Sequence, residues 1–62
     1  MVLIMHEYLC KDTITGEIFG CEAESSAAAR QLLIGQYDGD MTKVRLIVVP
    51  DGTLERLGID VY

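Results

Sequence analysis

The chain has 62 residues, enough for a single small domain spanning 1–62, and half of its residues are hydrophobic. A chain of this length buries only about 60% of the surface that its unfolded form exposes. The high apolar content therefore favours oligomerisation or a protein partner. The formal net charge of −5 disfavours direct binding to nucleic acid or to an anionic membrane, because both need basic side chains.

The negative charge lies in the first two thirds of the chain. Residues 1–40 carry seven acidic and two basic side chains, whereas residues 41–62 carry three of each. An acidic half of this kind predicts a surface that attracts basic proteins. The residues expected on it are Glu17, Glu22, Glu24, Asp38 and Asp40.

The first five residues are apolar but have no basic flank, and the run is too short for a signal peptide or a membrane span. Two cysteines in a chain without a secretion signal predict free thiols in a reducing compartment. We therefore expect a cytoplasmic protein.

Two strands and a turn are predicted at the start. Residues 2–11 are rich in Val, Leu, Ile and Tyr, which favour strands, and residues 12–17 form a turn in which Gly16 can adopt a left-handed conformation. Residues 17–24 alternate, with Phe19, Cys21 and Ala23 on one face.

The register of this hairpin decides which residues of the first strand share the Phe19 face. If Asp12 faces Glu17, the inner set is Val2, Ile4, His6, Tyr8 and Cys10. If Thr13 faces Glu17, the inner set is Leu3, Met5, Glu7, Leu9 and Lys11. We prefer the first register, because burying the unpaired Glu7 carboxylate is costly.

An Ala-rich helix follows, capped by Ser25 or Ser26. Its apolar stripe contains Ala29, Leu33 and Tyr37, spaced four residues apart. Gly35 could end the helix, but we favour a later end at Asp38-Gly39.

The most apolar strand is predicted at residues 42–49, followed by a Pro50-Asp51-Gly52 turn. We expect this turn to close a hairpin in which Val48 faces Leu54 and the last segment, to Tyr62, forms a fourth strand. The predicted fold is α+β, in the order ββαββ. Its four-stranded antiparallel sheet has the order 2-1-3-4, with one helix packed on one face over Val44, Leu46 and Val48.

One helix cannot cover the opposite face of this sheet, which we therefore predict to be an interface. The predicted interface residues are Arg45, Ile47, Val49, Glu55, Leu57 and Ile59, with Leu3, Met5 and Leu9 beside them.

No disulfide is expected between the two cysteines in the preferred register. Cys10 and Cys21 are diagonal neighbours with Cα atoms roughly 7–8 Å apart, beyond the usual range of a disulfide.

An alternative function is a thiol or metal site built from His6, Cys10 and Cys21, with Glu7 or Asp12 as a fourth ligand. The close Cys-x-x-Cys spacing of structural zinc sites is absent, so we expect no metal and no cofactor. Asp38-Gly39-Asp40 lacks the further acidic ligands of a calcium loop.

No enzymatic activity is expected, and no catalytic residue is predicted. The six glycines are scattered and form no phosphate-binding loop. A domain with a single helix also offers little concave volume for a substrate.

The segment from Tyr8 to Arg30 resembles the hairpin-to-helix start of DpnD/PcfM-like domains, which are small proteins of phages and mobile elements. The shared features are an alternating strand that ends in Glu22-Ala23-Glu24-Ser25 and the Ala-rich helix that follows. The resemblance covers about half of the chain. It implies a small bacterial or phage accessory protein and transfers no functional residues.

We therefore predict a non-enzymatic interaction module that forms a homodimer or binds another protein through the uncovered sheet face. A more specific hypothesis is an inhibitor of a nucleic-acid-binding host protein, of the anti-CRISPR type. In that case the acidic half would face a basic surface of the target.

Overall fold

The computed structural model describes residues 4–62. Its elements are β1 (His6–Asp12), β2 (Ile18–Ala23), α1 (Ser26–Ile34), β3 (Val44–Val49) and α2 (Thr53–Leu57). A single turn of 3₁₀ helix (Met41–Lys43) precedes β3. The three strands form an antiparallel sheet in the order β2-β1-β3, with α1 on one face and α2 on the other. Among the described residues, no helix has the length and apolar composition needed to cross a membrane.

The register of the first hairpin is the one we preferred. Lys11 lies opposite Ile18, and the Asp12 N–H donates to the carbonyl of Glu17 at 2.9 Å. Tyr8 and Cys10 are accordingly buried on the α1 face. In the rest of the predicted inner set, Ile4 and His6 are exposed, and Val2 lies outside the described residues, as does Leu3 of the alternative set.

The core lies between α1 and the sheet. Ser25 caps α1 by accepting a hydrogen bond from the Ala28 N–H at 3.1 Å, and Ala29 and Leu33 are fully buried. The core residues are Tyr8, Cys10, Phe19, Cys21, Ala23, Ala29, Leu33 and Val44.

The expected end of α1 at Asp38-Gly39 is wrong. The helix ends at Ile34, with Gly35 as its C-cap in a right-handed conformation. The chain turns there, which places the Tyr37 ring against Phe19 with centroids 4.4 Å apart.

The predicted four-stranded sheet is also wrong, because residues after Gly52 form α2 instead of a strand. The turn itself is present, and Gly52 has a φ of +87°. Leu, Glu and Arg favour helices, and the carboxylate of Glu7 accepts hydrogen bonds from the N–H groups of Gly52 and Leu54. These bonds satisfy donors at the start of the helix.

The segment after α2 runs to the opposite edge of the sheet from the one we predicted. Gly58 ends the helix with a φ of +70°, and the Ile59 N–H donates to the Leu54 carbonyl at 3.0 Å, as in a Schellman motif. Gly20 in β2 then exchanges hydrogen bonds with the chain end. Its N–H donates to the backbone carbonyl of Asp60, and its carbonyl accepts from the backbone N–H of Tyr62, each at 2.8 Å.

The predicted cover of β3 by α1 holds only for its start. Val44 is buried and Leu46 is half-buried, but the Val48 side chain is 62% exposed. The contacts of α1 with the sheet are concentrated on β2, so the helix does not reach the end of β3.

Leu54 anchors α2 to the outer face of the sheet, which is the face opposite α1. A Cβ atom at Gly20 would lie 2.6 Å from Cδ1 of Leu54, so the absent side chain of Gly20 leaves the space that Leu54 occupies. The Leu54 side chain is 2% exposed.

We predict that Leu54→Ala lowers the free energy of unfolding by about 2–5 kcal/mol, because it removes a buried side chain and leaves a cavity. Leu57→Ala is the matched control in the same helix. Leu57 is 58% exposed, and its loss should change stability by no more than about 0.5 kcal/mol. Urea denaturation followed by circular dichroism measures both. Equal losses in the two variants would contradict the packing of α2 described above.

Candidate interaction surface

β3 forms one edge of the sheet, and half of its backbone groups point away from β1. The Thr13 N–H donates to the Lys43 carbonyl at 2.9 Å, and in this register Leu9 lies opposite Ile47. Since backbone groups alternate in direction along a strand, those of Leu46 and Val48 point outward. Within residues 4–62, no strand lies beyond β3.

At both ends of this edge, the outward backbone groups that are present already have hydrogen-bond partners. At the start, the Val44 N–H donates to Met41, and the Val44 carbonyl accepts from Nη2 of Arg30 at 3.3 Å. At the other end, Pro50 has no N–H, and its carbonyl accepts from the backbone and the hydroxyl of Thr53. The open edge therefore consists of the N–H and C=O groups of Leu46 and Val48.

Apolar side chains flank the open edge on both faces of the sheet. Ile47 is 57% exposed on the α2 face, and Val48 is 62% exposed on the α1 face. Leu46 lies beside Val48 and packs partly against the core. An exposed, apolar edge strand is a template for pairing with another chain.

The structure divides the predicted interface into two parts. Arg45, Ile47 and Val49 lie on the outer face of β3, as expected from their alternation. Because α2 replaces the predicted fourth strand, the remaining residues do not extend β3. Glu55 and Leu57 are exposed on α2, and Ile59 is half-buried after it.

The sequence reasoning missed the open backbone groups of Leu46 and Val48. We interpreted the uninterrupted run from Leu46 to Val49 as a central strand covered on both faces. Pro50 directly after the run was the available signal for an edge, since proline is confined to edge strands and strand ends.

The Glu7 carboxylate is buried on the outer face, where it binds the start of α2. Its hydrogen bonds from the backbone of Gly52 and Leu54 lower the pKa of Glu7, while burial acts in the opposite direction. The carboxylate is therefore held in its charged form, with a structural role.

A second buried carboxylate, that of Asp12, lies at the other end of the sheet. It connects the turn after β1 with the segment after α1 through hydrogen bonds. The hydroxyl of Tyr37 donates to Oδ2 of Asp12 at 2.6 Å, and the Ile14 N–H donates to Oδ1 at 2.8 Å. These hydrogen bonds lower the pKa of Asp12. The same Asp12 bond raises the pKa of Tyr37 to about 12.

The predicted acidic residues do not share one surface. Glu17 and Asp38 line a cleft beside Asp12, whereas Glu24 and Glu22 line two other clefts. Asp40 accepts hydrogen bonds from the hydroxyl and the N–H of Thr42, which lower its pKa. Part of this charge therefore serves local structure.

The three residues of the alternative thiol or metal site do not form a ligand set. Cys10 and Cys21 are free thiols with no exposed surface, while His6 is exposed. Burial raises the pKa of Cys10 to about 12 and also raises the pKa of Cys21. Across residues 4–62, no group of three or more His, Cys, Asp or Glu side chains is placed to hold a metal ion.

Comparisons with protein-family models, with curated proteins and with solved structures found no match to this chain. The resemblance to DpnD/PcfM-like domains therefore stays a prediction.

We predict that Glu7→Gln makes the protein less stable at pH 7 and less sensitive to acid. The pKa of Glu7 is lowered in the folded state, so its contribution is complete above the unfolded value of about 4.3. That contribution is lost as the pH falls through the folded pKa. Thermal unfolding between pH 7 and pH 2 measures the effect.

The control for this experiment is Glu24→Gln, which changes an exposed carboxylate and should keep the acid sensitivity of the wild type. Identical pH profiles for Glu7→Gln and the wild type would show that Glu7 does not hold α2.

We also predict that neither thiol reacts with Ellman's reagent at pH 8 while the protein is folded, because the buried thiols stay protonated. In denaturant, both Cys10 and Cys21 should react within minutes. A fast-reacting thiol in the folded protein would support the alternative thiol function.

Proposed function

We propose that this chain is a non-enzymatic protein-interaction module that binds another polypeptide through β3. The observation that carries the proposal is the open edge formed by Leu46 and Val48. Strand addition at such an edge is a recurrent mode of recognition, in which backbone hydrogen bonds provide affinity and side chains provide specificity.

The exposed side chains support the same proposal. A strand added beside β3 would cover Ile47 on one face and Val48 on the other, and it would remove apolar surface from water on both faces. Burial of apolar area contributes roughly 25 cal/mol per Å². The edge therefore combines directional hydrogen bonds with a hydrophobic contribution.

The proposal rests on β3 and does not depend on mimicry of nucleic acid by the acidic residues. Glu17, Glu22 and Glu24 line three separate clefts, and such a distribution does not favour an inhibitor of the anti-CRISPR type. The two free, buried thiols support a reducing compartment, for which we propose the cytoplasm.

Ile47→Lys should weaken association through β3 and leave the fold intact, because Ile47 is exposed and a lysine there would oppose an apolar partner. Ile34→Lys is the matched control, since Ile34 is 59% exposed on α1, away from β3. Size-exclusion chromatography with light scattering measures self-association, and circular dichroism verifies the fold.

A partner other than the chain itself is tested with the same variants as immobilised baits. A protein retained by the wild type and by Ile34→Lys, but lost with Ile47→Lys, supports binding through β3. Retention by all three baits, or equal loss with both variants, contradicts the proposal.

A further inference from the structure

We infer that the partner is a second copy of this chain, joined by antiparallel pairing of β3 with β3 about a two-fold axis at Ile47. The inference rests on the proposed function and names its partner. It predicts a continuous sheet of six strands, three from each copy, in the order β2-β1-β3-β3-β1-β2.

The backbone of β3 is complementary to itself in this register. With Ile47 on the axis, Leu46 of each copy lies opposite Val48 of the other. Residues opposite each other at a hydrogen-bonded position exchange both N–H···O bonds. The two symmetry-related pairs therefore use the N–H and C=O groups of Leu46 and Val48 in both copies, and they leave none of them open.

Neighbouring symmetric registers leave groups unpaired. An axis at Leu46 places Val48 opposite Val44, whose N–H and C=O are already bonded to Met41 and Arg30. An axis at Val48 places Leu46 opposite Pro50, which has no N–H to donate. Because unpaired backbone groups at a buried position are costly, the register centred on Ile47 is favoured.

This register also places apolar side chains opposite each other on both faces of the sheet. Ile47 faces its own counterpart across the axis on the α2 face, and Leu46 faces Val48 of the second copy on the α1 face. Directly opposed apolar residues stabilise a strand pair. Both pairs consist of side chains that are exposed or half-buried in the single chain.

Charges at the two ends of the pairing are complementary. In this register the 3₁₀ turn that contains Lys43 in one copy faces the turn after β3 that contains Asp51 in the other. The two-fold axis repeats this arrangement at the other end. Within β3, Arg45 is the only charged residue, and it lies opposite Val49 of the second copy, so no like charges are directly opposed.

The register can be tested with engineered cysteines. In Ile47→Cys, the two new thiols face each other at a non-hydrogen-bonded position, where Cα atoms are about 4.5 Å apart, within the range of a disulfide. In the control Arg45→Cys, the thiols are offset by four positions, roughly 13 Å along the strand. The native thiols are buried and should not compete.

We expect Ile47→Cys to form covalent dimers at least tenfold faster than Arg45→Cys when oxidised glutathione is added at micromolar protein concentration, as measured by non-reducing electrophoresis and mass spectrometry. Equal rates, or faster cross-linking through Arg45→Cys, would overturn the register and leave binding through β3 intact.

A charge exchange provides a second test that does not need oxidation. Ile47→Lys and Ile47→Glu should each be monomeric, because each variant opposes two like charges on the axis. An equimolar mixture should form a heterodimer, detected by native mass spectrometry. If the mixture stays monomeric, residue 47 does not face itself.

The oligomeric state of the wild type separates a failure of the inferred partner from a failure of the proposed function. A monomer up to high micromolar concentration would overturn the second copy as partner. The proposed function would fail if Ile47→Lys bound every other partner as the wild type does, or if Ile34→Lys lost that partner equally.

Discussion

The carboxylate of Glu7 holds the start of α2, the helix that follows β3. It accepts hydrogen bonds from Gly52 and Leu54, so the residues after the Pro50 turn begin a helix on the outer face of the sheet. Leu54 then packs against Gly20, and Gly58 directs the chain end to the free side of β2. One edge of the sheet is thereby occupied, and β3 is left as the open one.

The first half of the fold could be predicted because its signals are local. Alternation identified β2, a serine identified the start of α1, and the cost of burying a charge selected the register of β1 and β2. This cost selected the correct register, although for an incomplete reason. Glu7 is excluded from the α1 face, yet it is buried on the other face, where backbone donors compensate its charge.

In the second half, β3 and its antiparallel pairing with β1 were predicted. The segment after β3 could not be predicted, because its conformation depends on contacts between distant residues. Thr53 to Leu57 contains too few residues for periodicity to separate a helix from a strand. The deciding bond joins Gly52 to a residue 45 positions earlier. The apolar run of β3 was ambiguous in a similar way, since an edge strand that pairs with another chain has the same composition as a central strand covered on both faces. At the open edge, Ile47 belongs to the predicted interface, whereas Val48 was expected under the helix and the outward backbone groups of Leu46 and Val48 were missed.

The central claim is that the outward backbone groups of β3 are paired in solution, and residue-resolved amide hydrogen exchange tests it most directly. The amides of Leu46 and Val48 point outward, whereas those of Arg45 and Ile47 are bonded to β1 and provide an internal reference. The account predicts that protection of Leu46 and Val48 rises with protein concentration while protection of the reference amides stays constant. Rapid exchange of Leu46 and Val48 at every concentration, with Arg45 and Ile47 protected, would contradict it.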